Sequence, residues 1–318
     1  MTVPGDADVR PMLVRQLTWE AHDVVSLRLV PVDGAEVPGW APGAHVDLVV
    51  PSGAVRQYSL CGDPDDATGY TVAVLREADG RGGSVEIHDS ALIGRTVGVR
   101  GPRNHFPLRD AESYLLIAGG IGITPILAMA RELARRGAKW RAVYGGRSRR
   151  SMAFVDQLRG LGDVAIVPED ERGLLDLGGE LAAVGAGTAV YCCGPERLLR
   201  AVTEAAQARG LELRFERFGA DPSRPADAAG AAFEVVLHRS GRTLPIPAER
   251  SILDAVRELI PDTPASCEEG FCGTCETRVL EGVPEHRDTI LDDSERAANE
   301  TMMICVGRSR TPRLVLDL

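Results

Sequence analysis

Four cysteines near the C-terminus, Cys267, Cys272, Cys275 and Cys305, carry the clearest chemical signal in the chain. Their C-x4-C-x2-C spacing with a remote fourth thiol is the ligand pattern of a plant-type [2Fe-2S] cluster. Gly270, Gly273 and Thr274 are small enough to let one loop curl around a cluster and turn its amides toward the sulfurs. Such hydrogen bonds help set a reduction potential. The competing assignment is a four-thiolate zinc site, which more often uses two short C-x2-C pairs. A disulfide framework fits less well, because a long acidic chain with no secretory signal is expected in a reducing, cytoplasmic setting.

Three further turns fall where a ligand is expected. Gly119–Pro125 reads GGIGITP and leaves a strand-like run to open a helical one, so that Thr124 could cap the amides and Pro125 could occupy the first helical position. A pyrophosphate fits such a positive helix end. Pro125 stands where the third glycine of G-x-G-x-x-G would be, and a glycine-rich turn by itself is often only a tight connection. Gly145–Ser148 and Cys193–Pro195 follow two other strand-like runs, and ligands in parallel sheets sit beyond such strand ends. Cys192 and Cys193 could equally be ordinary small core residues.

Upstream, Arg81-Gly82-Gly83-Ser84 offers close backbone approach to an anion, with Ser84 placed to cap a helix over 85–90. A solvated turn is the plain alternative. The run Arg56-Gln57-Tyr58-Ser59-Leu60 presents a cation, a phenol and a hydroxyl on alternating sides.

The elements that must position these residues fall into three zones. Residues 1–107 give short strand-like runs at 24–30, 45–50, 55–60, 70–76 and 96–100, separated by Gly, Pro and Asp, which predicts an antiparallel barrel. Residues 108–218 alternate runs at 114–118, 140–144, 164–167 and 188–193 with helical apolar spacing, which predicts an α/β domain with a parallel sheet. Residues 219–230, rich in Ala, Asp, Pro and Gly, read as a linker. In 231–318 a strand pair around Ser240 and Gly241 and a short helix from Ser251 precede the cysteine loop.

The net charge of −10 argues against nucleic acid, and no apolar run approaches the roughly 20 residues that span a bilayer. Lys139 is the only lysine, so an isolated arginine carries little weight as a site. The six histidines, His22, His45, His88, His105, His238 and His286, form no metal pair and read as structural.

Electron counting links the sites. A nicotinamide gives up two electrons at once, whereas a [2Fe-2S] cluster changes by one, so a nucleotide site and a cluster in one chain require a flavin, and the barrel is where it remains to be placed.

In this order RQYSL, GRGGS, GGIGITPI, CCGP, FERF and SCEEGFCGTC resemble the phthalate dioxygenase reductase family, over nearly the whole chain. The resemblance implies an FMN-binding barrel of the ferredoxin reductase type, an NAD(P)H-binding domain and a β-grasp plant-type ferredoxin domain. It places Arg56, Tyr58, Ser59, Gly82, Gly83 and Ser84 on FMN, and Phe218 against the flavin ring. It places Gly120, Gly122, Thr124 and Pro125 along the dinucleotide, and Cys193, Gly194 and Pro195 beside the nicotinamide. Phe218, Cys193 and Thr124 are then the groups nearest the hydride transfer, and the four cysteines ligate iron. Arg147, Ser148 or Arg149 could meet a 2′-phosphate, which leaves NADH and NADPH both open.

The resemblance further implies a monomer that passes electrons to the oxygenase component of a Rieske-type aromatic demethylase or dioxygenase, as vanillate demethylase reductases do. A haem-thiolate monooxygenase is the alternative acceptor. A redox sensor without turnover, or a nucleotide-binding regulator holding structural zinc, would use the same motifs without electron delivery. Glu268, Glu269 and Phe271, between the ligands, are the expected docking rim in a region with sixteen Asp and Glu against ten Arg from Ala231 onward.

Overall fold

Alternating apolar residues bounded by glycine and proline form strands throughout the first hundred residues of the computed structural model, which describes residues 9–78, 80–219 and 230–318. Strands β1 (Arg10–Ala21), β2 (Val24–Pro31), β3 (Ala44–Val49), β4 (Val55–Ser59), β5 (Tyr70–Leu75) and β6 (Thr96–Asn104) make an antiparallel sheet in the order β4-β3-β6-β1-β2-β5. A bridge between Leu60 and Val72 joins the two ends and curls the sheet into a barrel. Met12, Val14, Leu27, Leu29, Val46, Leu48, Val72 and Val74 fill it. Helix α1 (Gly83–Asp89) lies beside β5.

The rhythm then becomes βαβ. Strands β7 (Ser113–Gly119), β8 (Trp140–Gly146), β9 (Val164–Pro168), β10 (Thr188–Cys193) and β11 (Glu212–Glu216) form a parallel sheet in the order β11-β10-β7-β8-β9. The chain runs outward from β7 through β8 to β9, then returns to the other side of β7, so the switch in direction falls between β7 and β10. A crevice opens at such a point beyond the carboxyl ends of the strands. Helices α2 (Ile123–Arg135), α3 (Val155–Arg159), α4 (Glu169–Arg172), α5 (Leu177–Ala182) and α6 (Glu196–Gln207) connect them.

Barrel and parallel sheet belong to one unit, residues 9–217. Ile126, Leu127, Met129 and Ala130 of α2 pack with Ala21, Val24, Cys61 and Ala73 of the barrel in a single core. Arg131 donates to the carbonyls of Cys61 and Gly62, and the Tyr191 hydroxyl accepts from the Arg109 amide at 2.8 Å. Buried polar contacts of this kind hold two layers in one register.

The second unit runs from Phe218. Strands β12 (Phe233–Leu237), β13 (Arg242–Ile246), β14 (Glu276–Glu281), β16 (Thr301–Met303) and β18 (Arg313–Leu316) form a mixed sheet in the order β13-β12-β18-β14-β16, with β12 and β18 parallel. Strands β15 (Pro284–Glu285) and β17 (Arg308–Ser309) pair separately. Helix α7 (Ile252–Arg257) packs on the sheet, its start capped by Ser251, whose hydroxyl accepts from the Asp254 amide. Helix α8 (Asp293–Ala298) begins in a capping box of Asp292 and Glu295. This is the β-grasp arrangement expected. Of the linker expected at 219–230, residues 220–229 lie outside the described residues.

Candidate functional site

The cysteine loop, residues 266–275, is shaped by three positive-φ positions: Glu268 at 57°, Gly270 at 76° and Gly273 at 74°. At Gly270 a side chain would press on Val306 and Asp288, so glycine is required for fit as well as conformation. Glu268 adopts the same region without that freedom, and its carboxylate is held 2.7 Å from Arg257. The buried Asp288 backs the loop: it accepts from the amides of Ile290 and Leu291, while the Thr289 amide donates to the Gly270 carbonyl.

All four cysteines are buried. Cys267 Sγ accepts from the Glu269 amide at 3.3 Å, and Cys272 Sγ from the Cys267 amide at 3.4 Å. Hydrogen bonds from Cys272 and then Cys305 hold Cys267 as a thiolate, down to about 2, whereas Cys272 and Cys305 are pushed up, first by sharing hydrogen with Cys267. Cys272 and Cys305 therefore both lie within hydrogen-bonding reach of Cys267, so a charge on one sulfur disfavours a charge on its neighbour. A cationic centre that accepts four thiolates supplies the missing charge, and the amide-lined loop fits an iron–sulfur cluster.

In the barrel, Arg56 and Tyr58 project from one face of β4 and Ser59 from the other, because side chains alternate along a strand. Arg56 donates to the carbonyls of Val55 and Arg81. Gly83 lets α1 lie on it, since a Cβ there would be 2.6 Å from Arg56 Cγ. Burial and the nearby Arg81 cation both lower Arg56, and burial raises Tyr58. Two guanidinium groups crowded beside a glycine turn make a corner suited to a phosphate. Ser84 does not cap α1 as expected. The helix starts two residues earlier, Gly82 at φ 82° takes the cap position, and the Ser84 hydroxyl accepts from the Glu77 amide at 3.1 Å.

In the crevice, the turn after β7 lies against the turn after β10. A Cβ on Gly122 would fall 2.2 Å from the Cys193 carbonyl oxygen, and one on Gly194 3.0 Å from Gly119 Cα. Only glycines permit that approach, and it brings Gly120, Gly122, Thr124 and Pro125 together with Cys193, Gly194 and Pro195. Thr124 differs from expectation: it is buried and donates to the Ile121 carbonyl at 3.0 Å, closing the 3-10 turn Gly120–Gly122. Gly122 takes the cap position of α2, so Pro125 stands third in the helix, where its missing N–H is still harmless.

One participant went unrecognised in the sequence. Glu216, inside the FERF run, pairs in register with Cys193 at the ends of β10 and β11 and lies 3.2 Å from the Ser59 hydroxyl. Burial pushes its carboxyl up to about 8, opposed by the Ser59 hydrogen bond, and raises Cys193 still further with help from Glu216. The signal was a lone acid ending a strand beside the crevice, which no motif flags. Ser59 and Glu216 thus tie the barrel's polar edge to the sheet where nucleotide and ring sites must meet.

Glu216 also makes stability depend on pH. Its folded value lies above the ordinary 4.5, so its contribution is fully present below about pH 4.5 and is lost as pH rises through about 8. The side chain keeps some contact with water, which makes the slope shallower than for a sealed group. The urea midpoint of the ligand-free protein is expected to fall between pH 5 and 8, and to fall less in Glu216→Gln. Equal slopes in both proteins would contradict the assignment.

The remaining sequence candidates are dispersed. Arg147 is exposed at the end of β8, Ser148 is engaged with Ser151 in a capping box, and Arg149 sits 3.5 Å from Glu171. Phe218 is 42% exposed. On the cysteine rim Glu268 is neutralised by Arg257, which leaves Glu269 and the half-buried Phe271.

The chain is similar to known proteins over nearly its whole length. Residues 235–309 match a family described as a 2Fe-2S iron-sulfur cluster binding domain. The chain is 42% identical to the phenoxybenzoate dioxygenase subunit beta of Ectopseudomonas oleovorans, covering 96% of each chain. It is 37% identical to the phthalate dioxygenase reductase of Burkholderia cepacia, covering 100% of each. A solved phthalate dioxygenase reductase, described as a modular structure for electron transfer from pyridine nucleotides to [2Fe-2S], superimposes with a TM-score of 0.71 at 37% identity, again over 100% of each chain. An intact type IV self-sufficient cytochrome P450 monooxygenase aligns with a TM-score of 0.90 and 43% identity over 98% of this chain, which spans 41% of that larger protein.

Proposed function

The chain belongs to the phthalate dioxygenase reductase family, and from that premise we propose that it is the reductase component of an oxygenase system, moving electrons from NAD(P)H through FMN and a [2Fe-2S] cluster to a terminal oxygenase. The observation that carries the reading is the presence in one chain of three sites matched to three electron units. They are a dinucleotide crevice, a cationic barrel corner and a loop of converging thiols.

We assign the flavin to residues 1–107, the nucleotide to 108–218, a linker to 219–230 and the cluster to 231–318. Arg56, with the amides of Gly83 and Ser84 near Gly82, holds the flavin phosphate, Tyr58 and Ser59 border the ring, and Phe218 stacks on it until nicotinamide displaces it. Gly120, Gly122, Thr124 and Pro125 line the pyrophosphate path, while Cys193, Gly194 and Pro195 border the nicotinamide. Arg147 and Ser148 are positioned near the adenosine ribose. Orientation supplies the acceleration, because Cys192 and Cys193 are both kept protonated by burial and neither serves as a nucleophile. When bound, the flavin accepts a hydride and hands its electrons on singly, and the cluster carries them one at a time.

The acceptor we favour is a Rieske-type aromatic demethylase or dioxygenase. The similarity to a P450-linked reductase supports a haem-thiolate enzyme as the second reading. We take the protein to be a cytoplasmic monomer; no helix among the described residues is long and apolar enough to cross a membrane. The purified protein should be yellow-brown, oxidise NADH or NADPH with an artificial acceptor, and reduce one of the two oxygenase classes. A colourless preparation, or a coloured one without nucleotide oxidation, would overturn the reductase reading.

A further inference from the structure

Barrel and sheet are fastened to each other where the chain leaves β4. At the end of that strand the Ser59 hydroxyl lies 3.2 Å from Glu216 at the end of β11. Two residues on, Arg131 in the second half of α2 takes hold: one terminal nitrogen donates to the carbonyls of Cys61 and, at 2.8 Å, Gly62, and the other donates to Gln157 of α3 at 2.7 Å. Arg135, one turn further along α2, pairs with Asp65 of the same barrel segment and with the buried Glu132. Residues 59–62 are thus tied to the sheet at both ends. Helix α2 starts at Gly122, in the turn that lies against Cys193, so one helix carries the nucleotide turn at its start and the barrel's anchor in its later turns.

We propose that Arg131 is a positioning residue for hydride transfer: by locking the segment after β4 onto α2, it sets the separation between the ring site of the barrel and the nicotinamide site of the crevice. The proposal rests on the reductase reading. The apolar core shared by α2 and the barrel cannot set that separation alone, because burial of apolar surface is non-directional. A guanidinium is directional, and its planar fork, spread over two successive carbonyls and an amide on another helix, selects one register. Burial is the main influence lowering Arg131, and a cation drawn out of water in this way is costly unless its donors are met. The step it governs breaks one C–H bond of the dihydronicotinamide and forms one N–H bond on the flavin. Both electrons move with the hydrogen, so NADH and flavin become NAD⁺ and anionic reduced flavin. A misplacement of about 1 Å in such a transfer costs on the order of a hundredfold in rate.

The test has two arms. In ligand-free protein the His22 amide, which donates across the junction to the Arg150 carbonyl at 2.9 Å, should exchange its hydrogen at least about tenfold faster in Arg131→Ala. The Leu60 amide, bonded inside the barrel to the Ala44 carbonyl, should keep its wild-type rate. Unchanged exchange at both amides, or equal acceleration at both, would overturn the lock. In the holoprotein, stopped-flow reduction of the flavin by NADH should reach a limiting rate at least about tenfold lower in Arg131→Ala, with the nucleotide dissociation constant within about twofold of wild type. Arg131→Lys should fall between the two, because its single nitrogen cannot serve the carbonyls and Gln157 together. A wild-type limiting rate in both variants, or weaker nucleotide binding at an unchanged rate, would overturn the positioning role. If Arg131→Ala fails to fold, Arg131→Lys decides by itself, and an unaltered limiting rate there is the contrary result. Wild-type holoprotein whose flavin is not reduced by NADH would instead remove the reductase reading, and the ligand-free arm separates the two failures.

Discussion

Cys267→Ser should remove electron delivery to any protein acceptor while NADH still reduces the flavin at a rate within about twofold of wild type. The loss follows from the role of this sulfur at the centre of the converging set, where Cys272 and Cys305 both share hydrogen with it. Serine keeps the volume but supplies a poorer iron ligand, so the cluster should be absent or labile and the visible band of the iron–sulfur centre should vanish. The residues proposed for flavin and nucleotide, Phe218 excepted, lie in the other unit, residues 9–217, and should be untouched. Loss of flavin reduction in this variant would mean that the cluster contributes to the first half-reaction.

Arg56→Ala should weaken flavin binding by about a hundredfold, or about 2.7 kcal/mol, the scale of a charge-assisted contact to a phosphate. The ligand-free barrel should lose little stability, because the guanidinium is crowded by Arg81 as well as bonded to two carbonyls. A fall in flavin affinity without a fall in unfolding midpoint is thus the signature of an anion site rather than of a structural arginine. Arg56→Lys should recover part of the affinity, since an ammonium retains charge but lacks the planar fork. Flavin fluorescence quenching gives the dissociation constants, and mass spectrometry of the released flavin checks that it is FMN. Unchanged affinity in Arg56→Ala would contradict the placement.

Much of the architecture was legible because periodicity and spacing are local. The strand Thr188–Cys193 begins and ends where its apolar run does, and the cysteine spacing identified its loop from ligand chemistry alone. Strand β1 was not read: Arg10–Ala21 mixes Arg, Gln, Thr and Glu, and irregularities at Val14–Gln16 and Trp19–Ala21 break the alternation that marks a strand. Strand β11 escaped for a similar reason, with half-buried Leu213 and Phe215 set among charged residues on a sheet edge.

The caps at Ser84 and Thr124 differ from expectation because residue type favours a side-chain cap, whereas a left-handed backbone at Gly82 and close packing at Gly122 placed glycines there and left both hydroxyls to other partners. Glu216 could not be found by motif. It acquires chemistry only when the end of the parallel sheet meets Ser59 of the barrel.

The claim on which the account turns is that one polypeptide accepts electrons in pairs and holds them for release singly. Anaerobic titration of the holoprotein with NADH, followed in the visible spectrum, reads it directly. A flavin that takes two electrons and a cluster that takes one predict saturation at about 1.5 equivalents of NADH, falling to about 1 in Cys267→Ser. Saturation of the wild type at about 1 equivalent with the cluster still oxidised would contradict the account.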